Sequence, residues 1–142
     1  MSTVRCGLIG LSWITSDPIT PSLRGGRNPQ PGTHAAALAR IPEAEVVAIC
    51  DLLPAATAQF VERWGETWPG MRVYDDAAAL IANESLDVLA VCTPDDRHAD
   101  LVIAAAERGI PAIMCEKPLA TTLADADRMV AAVERAGTLL TV

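Results

Sequence analysis

Six short apolar runs punctuate the chain at intervals of roughly 15 to 40 residues: VRCGLIG (4–10), EVVAIC (45–50), MRVY (71–74), DVLAVCT (87–93), PAIMC (111–115) and TLLTV (138–142). Several are apolar throughout instead of alternating with polar residues. That is the signature of strands covered on both faces, as in a parallel sheet. Between them lie segments with helical spacing: THAAALARI, PAATAQFVERW, DDAAALIAN, DDRHADLVIAAAERG and TTLADADRMVAAVERAG. Strand–helix alternation repeated five times and closed by a sixth strand specifies a doubly wound α/β architecture, mainly parallel, with helices on both faces. Right-handed crossovers then bring the ends of the first and fourth strands to one cleft.

The local signals agree. Pro54 suits a first helical turn, Gly109 and Gly137 suit helix C-termini, and the threonines at 121 and 122 suit a helix start. In the fourth helical segment the spacing points Leu101, Ile103, Ala104 and Ala105 inward. Pro94 ends the fourth strand, and Asp95 or Asp96 is placed to cap the next helix. Aromatic residues make up only 4% of a chain that is 51% hydrophobic, so the core is expected to be built from Ala, Val, Leu and Ile.

Charge and cysteine usage exclude several functions. The chain carries 18 acidic and 11 basic residues, a formal net charge of −7. This balance disfavours binding to a phosphate backbone, so no nucleic-acid partner is expected. Cys6, Cys50, Cys92 and Cys115 form no CxxC pair and sit in or at the end of apolar runs, which reads as buried thiols and not as metal ligands. No segment approaches the ~20 apolar residues of a membrane span, and VRCGLIGL lacks a cleavage region. A cytoplasmic protein with no membrane partner is the expectation.

Four sites carry chemistry. The first is GLIGLSWIT. A strand that runs into a tight glycine turn and a helix N-terminus presents backbone N–H groups to a pyrophosphate. Gly7 and Gly10 are present, but Ser12 replaces the glycine that allows close approach, and Thr15 replaces the small residue at the helix–strand contact. The second is Asp51, at the tip of the second strand, where an acid bonds the adenosine ribose hydroxyls and repels a 2′-phosphate. Such an acid normally follows the glycines by ~20 residues; here it follows Gly10 by 41. Without the Pro- and Gly-rich residues 16–32 the spacing is 24, so that segment reads as an insertion. No basic residue closely follows Asp51, which favours NAD over NADP. An ordinary helix cap is the competing role for Asp51.

The third site is VCTPDDRHADL (91–101), where helix spacing aims His98 at the cleft from a first helical turn; a surface or capping role is the alternative. The fourth is CEKPLATTLADADRM (115–129). It holds Glu116 and Lys117, the chain's single lysine, at the end of the fifth strand, where Pro118 stops the ladder. A lysine in the switch-point crevice can place positive charge against a substrate oxygen or take part in proton transfer. A surface ion pair is the plain alternative.

Together, GLIG, HAAAL (34–38), VVAICD (46–51), CTPDDRHADL and CEKPLATTLADADRM resemble the Gfo/Idh/MocA oxidoreductase family, over essentially the whole chain apart from the insertion. The combination of EKPLA with TPxxxH is specific; GLIG alone is not. The resemblance implies a Rossmann domain spanning 1–142 that binds NAD or, less favoured, NADP. Its cofactor-binding residues would be Gly7, Gly10, Leu11, Ser12, Trp13, Ile14, Asp51, Cys92, Thr93, Pro94, His98, Glu116, Lys117 and Pro118, with Lys117 and His98 catalytic and no metal. Trp13 and Ile14 are also candidate hydrophobic anchors for the insertion. Relatives continue into an α/β substrate domain, absent from this sequence, that carries substrate contacts and usually the oligomer interface. On that reading TLLTV is the last cofactor-domain strand, and 142 residues alone bind cofactor without turnover. The parent activity implied is hydride transfer between nicotinamide and a sugar, polyol or related alcohol. A catalytically inactive NAD-binding sensor or scaffold is the alternative. A flavodoxin-like or response-regulator domain fits the alternation but gives no reason for EKP after TPxxxH.

Overall fold

Each apolar run becomes a strand, and each strand is covered because the segment after it crosses to the next parallel position. The structure, a computed structural model, describes residues 2–17 and 32–142. The elements are β1 (Val4–Ile9), α1 (Trp13–Ser16), α2 (His34–Leu38), β2 (Ala44–Cys50), α3 (Pro54–Trp64), β3 (Arg72–Tyr74), α4 (Ala77–Asn83), β4 (Val88–Val91), a 3₁₀ turn (Asp95–Arg97), α5 (His98–Glu107), β5 (Ala112–Cys115), α6 (Leu123–Ala136) and β6 (Leu139–Thr141). The strands form a six-stranded sheet in the order β3-β2-β1-β4-β5-β6, and every neighbouring pair is parallel. This is a Rossmann-type sheet, with the order reversing between β1 and β4.

The two faces are packed differently. One layer joins Ile9, Val47, Leu89, Val91 and Ile113 of the strands to Leu80, Val102 and Met129 of α4, α5 and α6. The other joins Leu8, Val46, Ile49 and Ala90 to Ala35 and to Phe60, Trp64 and Trp68. The aliphatic core expected from composition therefore holds on one face only. On the other, three of the chain's five aromatic residues are concentrated in one cluster, with the Trp64 and Trp68 ring centroids 5.3 Å apart and Phe60 6.5 Å from each.

Helix ends follow the local signals. Pro54 opens α3 at its first turn, and Thr122 accepts a hydrogen bond from the Asp125 N–H at the start of α6. Gly137 closes α6 at φ 69°, a left-handed conformation that costs a residue with a Cβ. Two expectations are corrected. The buried stripe of α5 is His98, Leu101, Val102, Ala105 and Ala106, whereas Ala104 is exposed and Ile103 half-buried; the true i, i+3, i+4 row includes His98, which a search for apolar residues passes over. Neither Asp95 nor Asp96 caps α5, because a 3₁₀ turn intervenes, and the Asp95 carboxylate accepts from the neighbouring Asp96 N–H.

The first crossover departs most from the expected plan. Its helix is broken into the single turn α1 and the short α2. Of the insertion expected at 16–32, residues 18–31 lie outside the described residues.

Edge strand β3 is held by charge as well as by its ladder. Glu84, at the end of α4, has a fully buried carboxylate that accepts hydrogen bonds from both Nε and Nη2 of Arg72 and from the Tyr74 hydroxyl at 2.6 Å, with Arg5 at 3.8 Å. Burial alone would push the Glu84 carboxyl up; the hydrogen bonds from Arg72 and Tyr74 and the charges of Arg72 and Arg5 outweigh it and leave it below the usual carboxylate range. Arg72 and Arg5 are 58% and 40% exposed, so solvent screens part of the attraction. A depressed folded-state value means the contribution is complete above the ordinary carboxylate pKa of ~4.3 and is lost as pH falls below it, through the lower folded value. Glu84→Gln is expected to lower the Tm by several degrees at pH 7. It should also flatten the decline of Tm between about pH 5 and pH 3, as measured by thermal melts across that range.

Candidate active site

The C-terminal ends of four strands meet where the sheet order reverses. The Gly10 N–H donates to Cys50 O at 2.9 Å, the Cys92 N–H to Ile9 O at 2.8 Å, and the Glu116 N–H to Val91 O at 2.9 Å, which aligns the turns after β1, β2, β4 and β5. Gly10 has φ +87°, and a Cβ there would lie 2.6 Å from Cys92 O and 2.8 Å from Thr93 N. Only glycine allows both that backbone conformation and that approach of two main chains.

After Gly10 the chain turns into α1. The N–H groups of Ser12, Trp13 and Ile14 form no hydrogen bond among the described residues, whereas those of Thr15, Ser16 and Asp17 turn back to Ser12 O and Trp13 O. Ser12 is exposed, with φ −64° and ψ 177°, and its hydroxyl caps no helix. Thr15 explains how a larger residue stands in for the usual small one: it is fully buried, and its hydroxyl donates to Gly10 O at 2.7 Å.

Ser12, Trp13, Ile14, Cys92, Thr93, Pro94, Glu116 and Lys117 line one cleft of about 360 Å³. Eight of the candidate residues are thus brought together from three strand ends. In it the Thr93 hydroxyl is buried with no hydrogen-bond partner among the described residues, a polar atom that a bound ligand can satisfy. Trp13 is 66% exposed at this cleft, and half-buried Ile14 also borders an apolar recess of about 310 Å³ beside Cys6, Leu38 and Met114; most of the segment they were expected to anchor lies outside the described residues.

The other candidates lie around the cleft instead of lining it. Leu11 is buried and contributes its main chain, its N–H donating to Asp51 Oδ2 at 2.8 Å; Asp51 Oδ1 accepts from the Leu53 N–H at 2.9 Å. Asp51 is therefore not the helix cap, a position held by Leu53; it ties the phosphate turn to the tip of β2. Each of its oxygens keeps acceptor capacity for a further donor. Gly7 lies inside β1, where a Cβ would meet Leu86 Cδ1 at 2.7 Å, so its missing side chain serves packing.

His98 does not face the cleft as its spacing suggests. It is 1% exposed, with Nδ1 3.0 Å from Pro118 O and Nε2 2.9 Å from Thr93 O. With both ring nitrogens on main-chain oxygens, it ties the turn after β4 to the turn after β5, and no ring nitrogen is left for a ligand. A polar residue in a first helical turn reads as facing the cleft, or else solvent; the carbonyl oxygens of Thr93 and Pro118 hold it buried instead.

One residue of the site escaped the sequence reading. His34 Nε2 donates to Glu116 Oε1 at 2.9 Å, and Glu116 Oε2 accepts from the Lys117 N–H at 3.3 Å. The hydrogen bond from His34 holds the Glu116 carboxyl below the usual carboxylate range against the opposing effect of burial, helped by Lys117. The pair is separated by 82 positions, and the only sequence signal was the place of His34 at the head of HAAAL. The ionised Glu116 in turn leaves Lys117, which is exposed at the cleft, beside a negative charge.

The chain matches the model of the family described as "Oxidoreductase family, NAD-binding Rossmann fold", the Gfo/Idh/MocA family, over residues 4–142. It belongs to this family. Among its relatives, D-apiose dehydrogenase of Paraburkholderia graminis is 44% identical over 109 residues, which cover 77% of this chain and 28% of that protein. Myo-inositol 2-dehydrogenase of Thermotoga maritima is 34% identical over 107 residues, covering 75% and 30%. Among solved structures, the WlbA dehydrogenase of Bordetella pertussis in complex with NADH and UDP-GlcNAcA matches with a TM-score of 0.74 at 28% identity, over 97% of this chain and 36% of that one. The chain thus spans about a third of the length of these Gfo/Idh/MocA relatives. Its fold and cofactor class are those of the family, an NAD-binding Rossmann domain. Among the described residues no helix is long and apolar enough to cross a membrane.

The thiols are buried, as expected, and all four are free. Burial pushes Cys92 up to about 12 and Cys6, Cys50 and Cys115 up to about 11, so at neutral pH almost none is thiolate. Dithionitrobenzoate at pH 8 is expected to react with the native protein only slowly and with four thiols at once in denaturant. A fast native thiol would contradict the burial of Cys92 under the cleft.

Proposed function

We propose that this chain is the cofactor-binding part of a dehydrogenase that uses NAD in preference to NADP and acts on a sugar, polyol or related alcohol. The observation that carries the reading is the cleft itself. It sets unbonded amides of the phosphate turn, an orphaned threonine hydroxyl and the chain's single lysine around one space at the sheet's switch point.

The residues fit a nicotinamide dinucleotide. The N–H groups of Ser12, Trp13 and Ile14 would hold the pyrophosphate, Asp51 the adenosine ribose, and Thr93, Pro94 and Glu116 the nicotinamide end. When bound, the nicotinamide supplies a site that accepts or releases hydride. Gly10 lets the phosphate turn and the Thr93 turn lie close together, and His98 fixes the Thr93 and Pro118 turns relative to each other. Lys117 Nζ places positive charge at the substrate oxygen and holds or passes the proton that oxygen loses or gains. Glu116, kept ionised by the hydrogen bond from His34, places a carboxylate beside that lysine. Asp51 carries the preference for NAD, since its carboxylate would repel a 2′-phosphate and no basic residue follows it at Leu52, Leu53 and Pro54.

The substrate class rests on the relatives, whose names specify apiose and myo-inositol. A non-catalytic sensor draws no support from them, and Lys117 would then have no task. We propose, too, that residues 1–142 form one dinucleotide-binding domain and that substrate contacts and any oligomer interface belong to a further domain.

Calorimetric titration tests the cofactor assignment. NADH is expected to bind more tightly than NADPH, and Asp51→Ala to narrow the gap by raising the Kd for NADH; a preference for NADPH would overturn the role of Asp51. In a polypeptide that joins this domain to its substrate domain, Lys117→Ala is expected to lower kcat by orders of magnitude with little change in NADH affinity. Unchanged turnover would remove Lys117 from the reaction.

A further inference from the structure

A helix broken after one turn loses the hydrogen bonds that would hold its end. In α1 the helix stops at Ser16, because Asp17 adopts φ −67° and ψ 124°, and the next helix among the described residues begins at His34. In an unbroken helix the Ser16 carbonyl would accept from the N–H four residues on. Here it accepts instead from the indole Nε1 of Trp64, at 2.9 Å in a buried setting, from the last turn of α3. The next carbonyl, that of Asp17, accepts from the Thr33 hydroxyl at 2.7 Å. The same hydroxyl accepts from the Ala36 N–H at 3.2 Å, capping α2. Arg63 adds a longer bond of 3.3 Å to the Ser16 hydroxyl. Two side chains thus occupy the acceptors at the break, and one of them also starts the second half.

We propose that Trp64 and Thr33 are positioning residues for the phosphate turn: they stand in for the missing helical bonds and hold the amides of Ser12, Trp13 and Ile14 in place. The proposal rests on the reading that this turn takes a cofactor pyrophosphate. Four observations support it. Two other ties of the turn among the described residues, Thr15 to Gly10 O and Leu11 N–H to Asp51, lie on its N-terminal side. A lone helical turn does not hold itself, since nucleation without propagation is unfavourable. The indole N–H of a buried Trp needs an acceptor, and Ser16 O is the acceptor it finds. Finally, Trp64 is anchored by stacking against Trp68 and by contact with Phe60, so its nitrogen is held by a rigid cluster.

The test compares the whole chain with Trp64→Phe, which keeps a ring in the cluster but has no N–H, and with Phe60→Leu, which loosens the same cluster without touching Ser16. Amide exchange of residues 11–17 is followed by mass spectrometry and NADH affinity by calorimetry. Trp64→Phe is expected to speed exchange in that segment and raise the NADH Kd by about 3- to 10-fold. Phe60→Leu, which keeps the indole N–H, should lower the Tm at least as far but change both readouts much less. Thr33→Val is expected to act like Trp64→Phe, and Thr33→Ser to restore both readouts. Equal effects of Trp64→Phe and Phe60→Leu, or unchanged exchange in Trp64→Phe, would overturn the proposal and leave Trp64 a packing residue. Should the unsubstituted chain bind no NADH, the cofactor reading fails separately, and the exchange data still decide whether the two side chains hold the turn.

Discussion

Two loops touch through a position where no side chain fits, and the site is built around that contact. Gly10 leaves β1 at a positive φ and passes so close to the main chain of Cys92 and Thr93 that a single methyl group would collide with it. The parallel pairing of β1 with β4 brings the loops together, and the missing Cβ lets them stay. That contact sets the rest of the site: the amides after Gly10, the Thr93 hydroxyl and, one strand further, Glu116 and Lys117 come to surround a single cleft. Polar ties then lock the loops pairwise. Asp51 holds the β2 tip to the phosphate turn, His98 holds the β4 turn to the β5 turn, and His34 holds α2 to Glu116.

Much of this architecture could be read from the sequence because it depends on patterns that repeat locally. Continuously apolar runs mark strands covered on both faces, and proline, threonine and glycine mark helix ends. Parallel order follows from alternation and handedness alone. The candidate site was legible for a related reason: in a doubly wound sheet, residues just after each strand share one edge, so the lysine after β5 and the threonine after β4 had to be near each other.

What the sequence hid was pairing between distant polar groups. The spacing of His98 aims it at the cleft, whereas its burial depends on two carbonyl oxygens supplied by turns 5 and 20 positions away. His34 and Glu116 carry no pattern that joins them across 82 positions. Asp51 showed where it lay but not that its carboxylate also braces the turn. The aromatic cluster was concealed by composition, since a low aromatic fraction says nothing about concentration in one place. The break in the first helix was visible, yet the means of holding its end, an indole and a hydroxyl from other elements, was not.

The central claim is that this cleft is arranged to receive a nicotinamide dinucleotide across the switch point. A crystal structure of the chain with NADH tests it most directly. The expected result has the pyrophosphate on the amides of Ser12, Trp13 and Ile14, a ribose hydroxyl on Asp51 and the nicotinamide between Thr93 and Lys117, with the Thr93 hydroxyl in a hydrogen bond. A dinucleotide ordered elsewhere, with the Thr93 hydroxyl still unpaired and Lys117 apart from the nicotinamide, would contradict the account.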